Sequence, residues 1–380
     1  MKKIGYVIPS FPVLSETFVG VEMRAMMRKG HQVQPFAFTK TEHCQPADTM
    51  LAECCQYIPK QLTPRAVLAL PALIRCHSFL CQQTGFSYLS LLKQGLILAE
   101  MAKRERCEHL HAHFAWHSAA TAIVAARILN ISVSFVGHGA DIYASPQDLA
   151  TKLQHVDFSC AVTNNMRHHL QKMTQRPVHY VACGIETADY PTLNAAWKPD
   201  ATFLFIGRLV EKKDLNTLLT AFQQLPTNSR LDIVGDGPLR QQVERWINQC
   251  EMQKRVRLLG AQPSTWLRRH AEHYRALVVP FCIAKDGDRD TGPLVVKEAM
   301  ALGLPVITSN LPGCNEIVDE QAGVRVPMRN PEALSSAMLD VLNHAVQHLN
   351  EQRQYAYQHV MTHYNADIHA GRLSSVVERL

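Results

Sequence analysis

The chain of 380 residues is too long for one ordinary hydrophobic core, and its length predicts two domains of roughly 150–200 residues each. Hydrophobic residues make up 47% and charged residues 19%, which excludes large-scale disorder, and the formal net charge of +6 is too small to indicate a nucleic-acid-binding protein. The 11 cysteines are scattered without a Cys-x-x-Cys pair, which favours reduced thiols and a cytoplasmic location.

Short apolar runs alternate with amphipathic helical patterns along the whole chain. This alternation predicts parallel sheets with helices on both faces, which is an α/β fold. Strands are predicted at Ile4–Ile8, Val33–Phe38, His109–His113, Val133–Val136, Phe158–Val162, Thr202–Ile206, Leu231–Val234, Val256–Leu259, Leu277–Val279 and Val306–Thr308. The clearest helices are predicted at Glu16–Lys29, Ser118–Leu129, Leu215–Gln224, Leu239–Cys250 and Leu294–Leu302.

The two series of strands are separated by a stretch with little periodicity, which predicts the domain boundary. We expect an N-terminal domain at residues 1–186, a linker at 187–199 and a C-terminal domain at 200–360. A last helix is expected at 361–380 and could cross back to the first domain.

Two stretches of the first half have both a structural and a functional interpretation. Ser15, Glu16 and Thr17 follow the first strand, where they are candidate acceptor-side residues; the alternative is that Ser15 only caps the next helix. Residues 64–106 are predicted to be helical, apolar and basic. They form either a helical excursion packed on the first domain or a docking face for peripheral contact with an anionic membrane.

Histidines mark two strand positions in the first half. His109, His111 and His113 alternate along one predicted strand and therefore share one face, a pattern that zinc sites also have. No cysteine or carboxylate stands at ligand spacing beside them, so we expect no metal there. His138 stands between two glycines after the next strand, where it belongs either to a turn or to a site.

Two loops of the second half are candidates for binding phosphate. Gly207 follows a strand and lets the backbone approach a ligand, while Arg208 and Lys213 supply cations for phosphate oxygens. A solvated basic turn is the alternative. Gly235 and Gly237 follow the next strand, and they are typical of either nucleotide binding or a tight turn.

Three alternating aspartates, Asp286, Asp288 and Asp290, suggest a calcium loop, but their surroundings do not fit one. Counted from Asp286, the sixth residue is Thr291 where glycine is required, and the twelfth is Lys297 where glutamate is required. The spacing therefore argues against calcium.

An anion site explains the same stretch better. Thr291, Gly292, Pro293 and Leu294 stand at the predicted start of a helix, where backbone N–H groups and the helix dipole favour phosphate. Glu298 follows on the same helix, where its carboxylate suits the two hydroxyls of a ribose, although an exposed helical glutamate is common.

Taken in order, these motifs resemble those of the group 1 glycosyltransferases, which form family 4 of the GT-B fold. In the second half the similar segments are Gly207-Arg208-Leu209 with Lys213, Val234-Gly235-Asp236-Gly237-Pro238, Asp290 through Glu298, Glu298-Ala299-Met300-Ala301, and Gly313-x-x-Glu316-Ile317-Val318. The first half is similar to a bacterial exopolysaccharide or colanic-acid-type subgroup at Ser15-Glu16-Thr17-Phe18, His111-Ala112-His113-Phe114 and His138-Gly139-x-Asp141-Ile142-Tyr143. The resemblance covers nearly the whole chain and implies two doubly wound, Rossmann-like domains that face a cleft.

The resemblance also implies the reaction: metal-independent, retaining transfer of a sugar from a nucleotide-diphosphate donor to a glycan or polyprenyl-diphosphate-linked acceptor, without a protein nucleophile. Arg208 and Lys213 would hold the diphosphate, and Glu298 would bind the ribose. Asp290 and the backbone at Gly292–Leu294 would contact the transferred sugar and phosphate. His138 and the acceptor-side residues, His113 among them, would come from the other domain.

Two residues depart from the family pattern, and two other function classes stay open. Asp290 stands where the family usually has glutamate, and Asp214 replaces a usual glycine after Lys213. A non-catalytic nucleotide-sugar-binding relative, acting as a partner subunit, would keep the same motifs. A dinucleotide-dependent oxidoreductase is disfavoured because the loop after the first strand, residues 9–15, has no glycine for a pyrophosphate.

Overall fold

The computed structural model describes residues 1–62, 73–193 and 197–380. The chain divides into two compact units, one formed by Met1–Gly184 together with Ala366–Leu380 and the other by Ile185–Asn365. Each unit is built on one sheet of parallel strands, which confirms the α/β prediction.

In the described part of the first unit, seven strands form a sheet in the order β3-β2-β1-β4-β5-β6-β7. Their bounds are β1 Lys3–Ser10, β2 Gln32–Thr39, β3 Gln56–Tyr57, β4 His109–His113, β5 Ser132–Gly137, β6 Phe158–Ala161 and β7 Val178–Tyr180. The helices are α1 Thr17–Arg28, α2 Thr49–Cys54, α3 His77–Cys81, α4 Tyr88–Arg104, α5 His117–Leu129, α6 Ala140–Tyr143, α7 Leu149–His155 and α8 Asn164–Gln171, with α16 Ala366–Glu378 at the end of the chain.

In the described part of the second unit, six strands follow the order β10-β9-β8-β11-β12-β13. They are β8 Thr202–Ile206, β9 Arg230–Val234, β10 Val256–Gly260, β11 Ala276–Val279, β12 Val306–Ser309 and β13 Val324–Val326. The helices are α9 Leu215–Gln223, α10 Arg240–Gln249, α11 Ser264–His270, α12 Leu294–Ala301, α13 Pro312–Asn315, α14 Pro331–Asn343 and α15 Val346–His363.

The ten predicted strands and the five clearest predicted helices are all found, with ends that match or are shifted by at most two residues. The prediction missed the strands β3, β7 and β13, which have two or three residues each. All three lie at sheet edges. An edge strand this short has too few buried positions to give a run or an alternation that can be recognised in the sequence.

Two local predictions in the first unit have different outcomes. Helix α1 has Glu16 rather than Ser15 at its N-cap, so the interpretation of Ser15 as the cap is wrong. Of the predicted helical excursion, residues 64–72 lie outside the described residues, and the remainder contains α3 and α4. Helix α4 packs against α5, whose apolar residues are buried on all sides. Within the described residues, no helix combines the length and the apolar character needed to cross a bilayer.

The last helix, α16, completes the first unit from the far end of the chain. It packs on α1, and the guanidinium Nε of Arg28 donates to Asp367 at 2.8 Å. The backbone N–H of Ala182 donates to the ring of His369 at 3.1 Å. Apolar side chains of α16 join the core of the first unit, among them Leu373 and Val377.

Candidate active site

The predicted donor-side residues lie on loops at the carboxyl edge of the second sheet. Because β8, β9, β11 and β12 are parallel, the loops that follow them leave from the same edge, where ligands of α/β sheets bind. Backbone hydrogen bonds join these loops: Gly207 N–H donates to Val234 O at 3.0 Å, and Cys282 N–H donates to Lys212 O at 2.9 Å. The loops therefore form one packed surface.

Glycines permit this close packing. Gly235 has a φ of +140°, and a Cβ there would overlap the carbonyl oxygen of Gly207. A Cβ on Gly237 would lie 2.7 Å from the carbonyl oxygen of Leu209. Packing alone therefore explains these glycines, as the tight-turn interpretation expects, and their contact with a nucleotide stays a prediction.

Lys213 and Asp290 form the centre of the candidate site. The ammonium Nζ of Lys213 lies 3.1 Å from Oδ1 of Asp290, and the two side chains are only 11% and 14% exposed. The same ammonium lies 4.4 Å from the ring centre of Phe281, a cation–π contact that fixes its position. The other carboxylate oxygen of Asp290, Oδ2, is buried and has no hydrogen-bond partner among the described residues. It is thus available to a hydroxyl of a bound sugar.

The loop that carries Lys213 also explains the departure at Asp214. Asp214 adopts a left-handed conformation with a φ of +46°, which is the region that glycine enters most easily. Its carboxylate accepts a hydrogen bond from the hydroxyl of Thr217 at 2.8 Å and caps α9. The cap offsets the cost of the strained backbone. Arg208 lies exposed in the same loop, and its guanidinium has no hydrogen bond or ion pair within the described ranges.

Helix α12 presents its N-terminus beside this pair. Its N-cap is Pro293, and no side-chain hydrogen bond caps it in the described structure. Lys297, on the same helix, donates from Nζ to the carbonyl oxygen of Gly292 at 3.3 Å. The backbone of Thr291 is held in place by Gly313, where a Cβ would overlap the Thr291 carbonyl. Open N–H groups at the positive end of a helix favour an anion.

Glu298 lies one turn further along α12 and is half-buried. Burial raises its pKa to about 7, although the positive charges of Arg268 and Lys297 oppose the shift. Hydrogen bonds from ligand hydroxyl groups would stabilise the ionised carboxylate, because they replace the water that burial has removed.

Sequence reasoning missed the neighbours of Glu298. Arg268 of α11 forms an ion pair with Asp189, and its guanidinium lies 6.0 Å from the ring centre of Tyr190. Burial and the charge of Glu298 raise the pKa of Tyr190 far above its usual value, so it stays a neutral phenol. No motif marks these residues, since their proximity depends on how residues 185–193 pack.

In the first unit, the structure brings His113 and His138 together. Nδ1 of His113 lies 3.1 Å from Nε2 of His138, and both side chains are buried. The ring centre of Phe18 lies 4.4 Å from that of His138, which places the segment of Ser15, Glu16 and Thr17 next to it. Burial and the neighbouring His113 hold the pKa of His138 well below its usual value, so the imidazole is neutral.

Asp141 fixes the loop that carries His138. Its buried carboxylate accepts hydrogen bonds from the backbone N–H groups of Ala115, His138 and Gly139 at 2.8, 3.0 and 2.8 Å. Burial raises its pKa more than these bonds lower it. The conformation of the His138 loop therefore depends on one carboxylate.

We expect Asp141→Ala to lower the free energy of unfolding by roughly 2–4 kcal/mol, because three buried N–H groups lose their acceptor. Asp141→Asn is the matched control, since one amide oxygen remains and the loss is smaller. Urea denaturation of both variants measures the difference. A change in Asp141→Ala within experimental error would show that the loop does not depend on this side chain.

The structure also adds a carboxylate that the sequence did not place. Oε1 of Glu22, on α1, lies 3.4 Å from Nε2 of His111 and 3.3 Å from Nε2 of His113. Burial alone would raise the pKa of Glu22, but the neighbouring His113 and His111 outweigh it and hold this pKa well below its usual value. No carboxylate lies near these histidines in sequence, which is why none was expected beside them. Glu22 comes from α1, about 90 residues earlier in the chain.

Comparisons with known proteins agree with this geometry. Residues 194–359 match the family described as glycosyl transferases group 1. The chain is 24% identical to the amylovoran biosynthesis glycosyltransferase AmsK of Erwinia amylovora, and the match covers 100% of both chains. It is 23% identical to WcaL of Salmonella typhimurium, which is provisionally named as a colanic acid biosynthesis glycosyltransferase, over 89% of this chain and 90% of that protein.

The fold matches solved structures over the full length. The structure of Anabaena Alr3699/HepE in complex with UDP and glucose has a TM-score of 0.78 at 12% identity, with 100% of both chains covered. This similarity shows the GT-B fold, which the motifs implied. The parallel sheets, the order of the motifs and the match over residues 194–359 make this chain similar to the group 1 glycosyltransferases.

Proposed function

We propose that this protein transfers a sugar, with retention of configuration, from a nucleoside diphosphate donor to a glycan or polyprenyl-diphosphate-linked acceptor in bacterial surface polysaccharide synthesis. The observation that carries the proposal is the Lys213–Asp290 pair, which lies beside the uncapped start of α12 with Glu298 on the same helix. The polysaccharide role is supported by the names of the relatives AmsK and WcaL.

The second unit supplies a group for each part of the donor. Lys213 and Arg208 stabilise the charge that develops on the leaving diphosphate, which is a large catalytic contribution when cations are held in place. The first N–H groups of α12 bind phosphate oxygens, and Oδ2 of Asp290 accepts a hydrogen bond from the sugar. Glu298 binds the ribose. Side chains hold the diphosphate in this arrangement, without a metal ion.

Retention requires the acceptor to attack from the side that the diphosphate leaves. The leaving phosphate then takes the acceptor proton, and no covalent enzyme intermediate is needed. We propose that the reaction takes place at the cytoplasmic face of the membrane. Sugar nucleotides are cytoplasmic metabolites, and the acceptor that we favour is linked to a lipid. The anomeric configuration of the product, measured by NMR, tests the stereochemistry.

A panel of sugar nucleotides tests the donor class. At concentrations well above Kd, a bound donor is expected to raise the unfolding midpoint by about 5 °C, because it binds only the folded state. The panel contains UDP, GDP, ADP and dTDP sugars, with NADH included to test the oxidoreductase alternative. Stabilisation by NADH alone would overturn the proposal.

A second measurement separates an enzyme from a non-catalytic relative. The sugar nucleotide that stabilises the protein most is incubated with it, and release of the nucleoside diphosphate is followed with and without lipid-linked acceptors. An active transferase releases the diphosphate faster when its acceptor is present. Tight binding without release under every condition would favour the non-catalytic partner subunit.

A further inference from the structure

Three buried polar atoms converge at one point inside the first unit, where a carboxylate contacts two imidazoles. They are Oε1 of Glu22, Nε2 of His111 and Nε2 of His113, and they all lie within 4.8 Å of one another. Oε1 of Glu22 lies 3.4 and 3.3 Å from the two nitrogens, which are long contacts for a hydrogen bond, and each of the three atoms is shielded from solvent. Buried polar atoms normally have short hydrogen bonds, so three donor atoms that meet only through long contacts form a set that a cation would hold together.

The surrounding hydrogen bonds leave both Nε2 atoms facing this point. Nδ1 of His111 lies 2.7 Å from the hydroxyl of Ser134, and Nδ1 of His113 lies 3.1 Å from Nε2 of His138. When a cation is bound, each ring can carry its hydrogen on Nδ1 and donate it outward, which leaves an Nε2 lone pair directed inward. Histidines that bind metal ions have this arrangement, in which the second ring nitrogen donates to a fixed acceptor.

Distances and burial also fit a bound cation. In a tetrahedral zinc site with bonds of about 2.0–2.1 Å, neighbouring ligand atoms are roughly 3.4 Å apart. Oε1 of Glu22 lies 3.4 and 3.3 Å from the two nitrogens. The imidazoles are 1% and 0% exposed, so they are held rigidly in the core. The Glu22 side chain is 16% exposed, which leaves an entry path for an ion.

We propose that Glu22, His111 and His113 bind a divalent first-row transition metal ion, for which Zn²⁺ is the best match. Two imidazole nitrogens and one carboxylate oxygen are donors that suit Zn²⁺ and leave a fourth position open. The buried hydroxyl of Tyr6 lies next to this group on the adjacent strand, within hydrogen-bond reach of Glu22. It or a water molecule completes the tetrahedron.

The site would be structural, and it is distinct from the donor site of the second unit. A cation between α1 and β4 would join the helix to the sheet. It would also fix the ring of His113, whose Nδ1 contacts His138. The proposal does not depend on the proposed function, since the three ligands belong to the first unit and the donor loops belong to the second.

Metal titration of the full chain tests the proposal. The protein is stripped with a chelator, dialysed, and titrated with Zn²⁺ in competition with a chromophoric zinc chelator; Co²⁺ is used in parallel for its visible absorption. One tight ion per chain is expected, with a tetrahedral Co²⁺ spectrum and a higher unfolding midpoint. Failure of the wild type to compete with the chelator would overturn the proposal, whatever the variants do.

Variants then locate the ion. Glu22→Gln and His113→Asn should each weaken the tight site by at least about 100-fold, because each removes one of three protein ligands. The matched control is His109→Asn: His109 is buried on the same face of β4 but bonds to Ser132 and Ser134, so one tight ion should remain. Equal loss in all three variants, or retention in all three, would show that the ion binds elsewhere. Circular dichroism verifies folding, and Glu22→Gln is nearly isosteric.

Discussion

Lys213→Ala is expected to slow sugar transfer by at least about 100-fold, because it removes the buried cation that meets the leaving diphosphate. The side chain is only 11% exposed and is held by Asp290 and Phe281, so no other lysine can move into its place without rearrangement. Arg208→Ala should also abolish most transfer, although Arg208 is exposed. The measurements are the release of the nucleoside diphosphate and the Kd for the sugar nucleotide that the panel identifies.

Lys212→Ala is the matched control for Lys213→Ala. Lys212 is the preceding residue, and it forms a comparable ion pair with Asp288 at 3.0 Å. It has the same charge and lies on the same turn, but the family motif does not include it. Transfer should stay near the wild-type rate in this variant. Equal loss in both lysine variants would indicate a general electrostatic or folding effect, and wild-type rates in Lys213→Ala would contradict the assigned site.

Glu298→Gln should stabilise the unliganded protein at alkaline pH and weaken donor binding. The pKa of Glu298 is about 7 in the folded protein, against 4.5 for an ordinary glutamate. The folded state thus holds this proton more tightly than the unfolded state, so wild-type stability falls as pH rises from about 4.5 to 7. The amide that replaces the carboxyl group does not ionise, and we expect the variant to be more stable by on the order of 2 kcal/mol at pH 8.

The same substitution should lower affinity for the sugar nucleotide that the panel identifies by at least about tenfold at pH 8, because the proposed charged hydrogen bond to the ribose would be lost. Wild-type affinity should increase between pH 6 and 8 as Glu298 ionises, whereas that of the variant should not change. Urea denaturation and calorimetric titration at both pH values measure these effects. Glu332→Gln, at an exposed position of α14, is the control and should change neither. Lower stability of Glu298→Gln at pH 8 would contradict the argument.

The interior of both sheets could be predicted from sequence, because central parallel strands are buried on both faces and appear as continuous apolar runs. His109–His113 and Thr202–Ile206 are found with the predicted ends. The edge strand Gln56–Tyr57 could not be predicted, since it is half-buried and only two residues long. Its position depends on pairing with β2.

The candidate site could be predicted where a motif is local in sequence. Asp290 lies on the loop before α12 and Glu298 lies on α12, so one continuous segment carries both residues. The family resemblance assigned Lys213 and Asp290 to the same donor site, but the contact between them could not be predicted, because the loops that carry them follow two different strands. Glu22 could not be associated with His111 from sequence, since only the packing of α1 on the sheet joins them.

The first unit is discontinuous in sequence, since α16 comes after the whole second unit. During synthesis the second unit is therefore complete before the first has all its parts, because domains fold as units while the chain emerges. Until the ribosome has made residues 366–380, the surface of α1 that receives Leu373 and Val377 stays uncovered. Chaperones should therefore bind nascent chains of this protein longest at that surface. A stop codon before Ala366 should leave the N-terminal half incompletely folded and prone to aggregation.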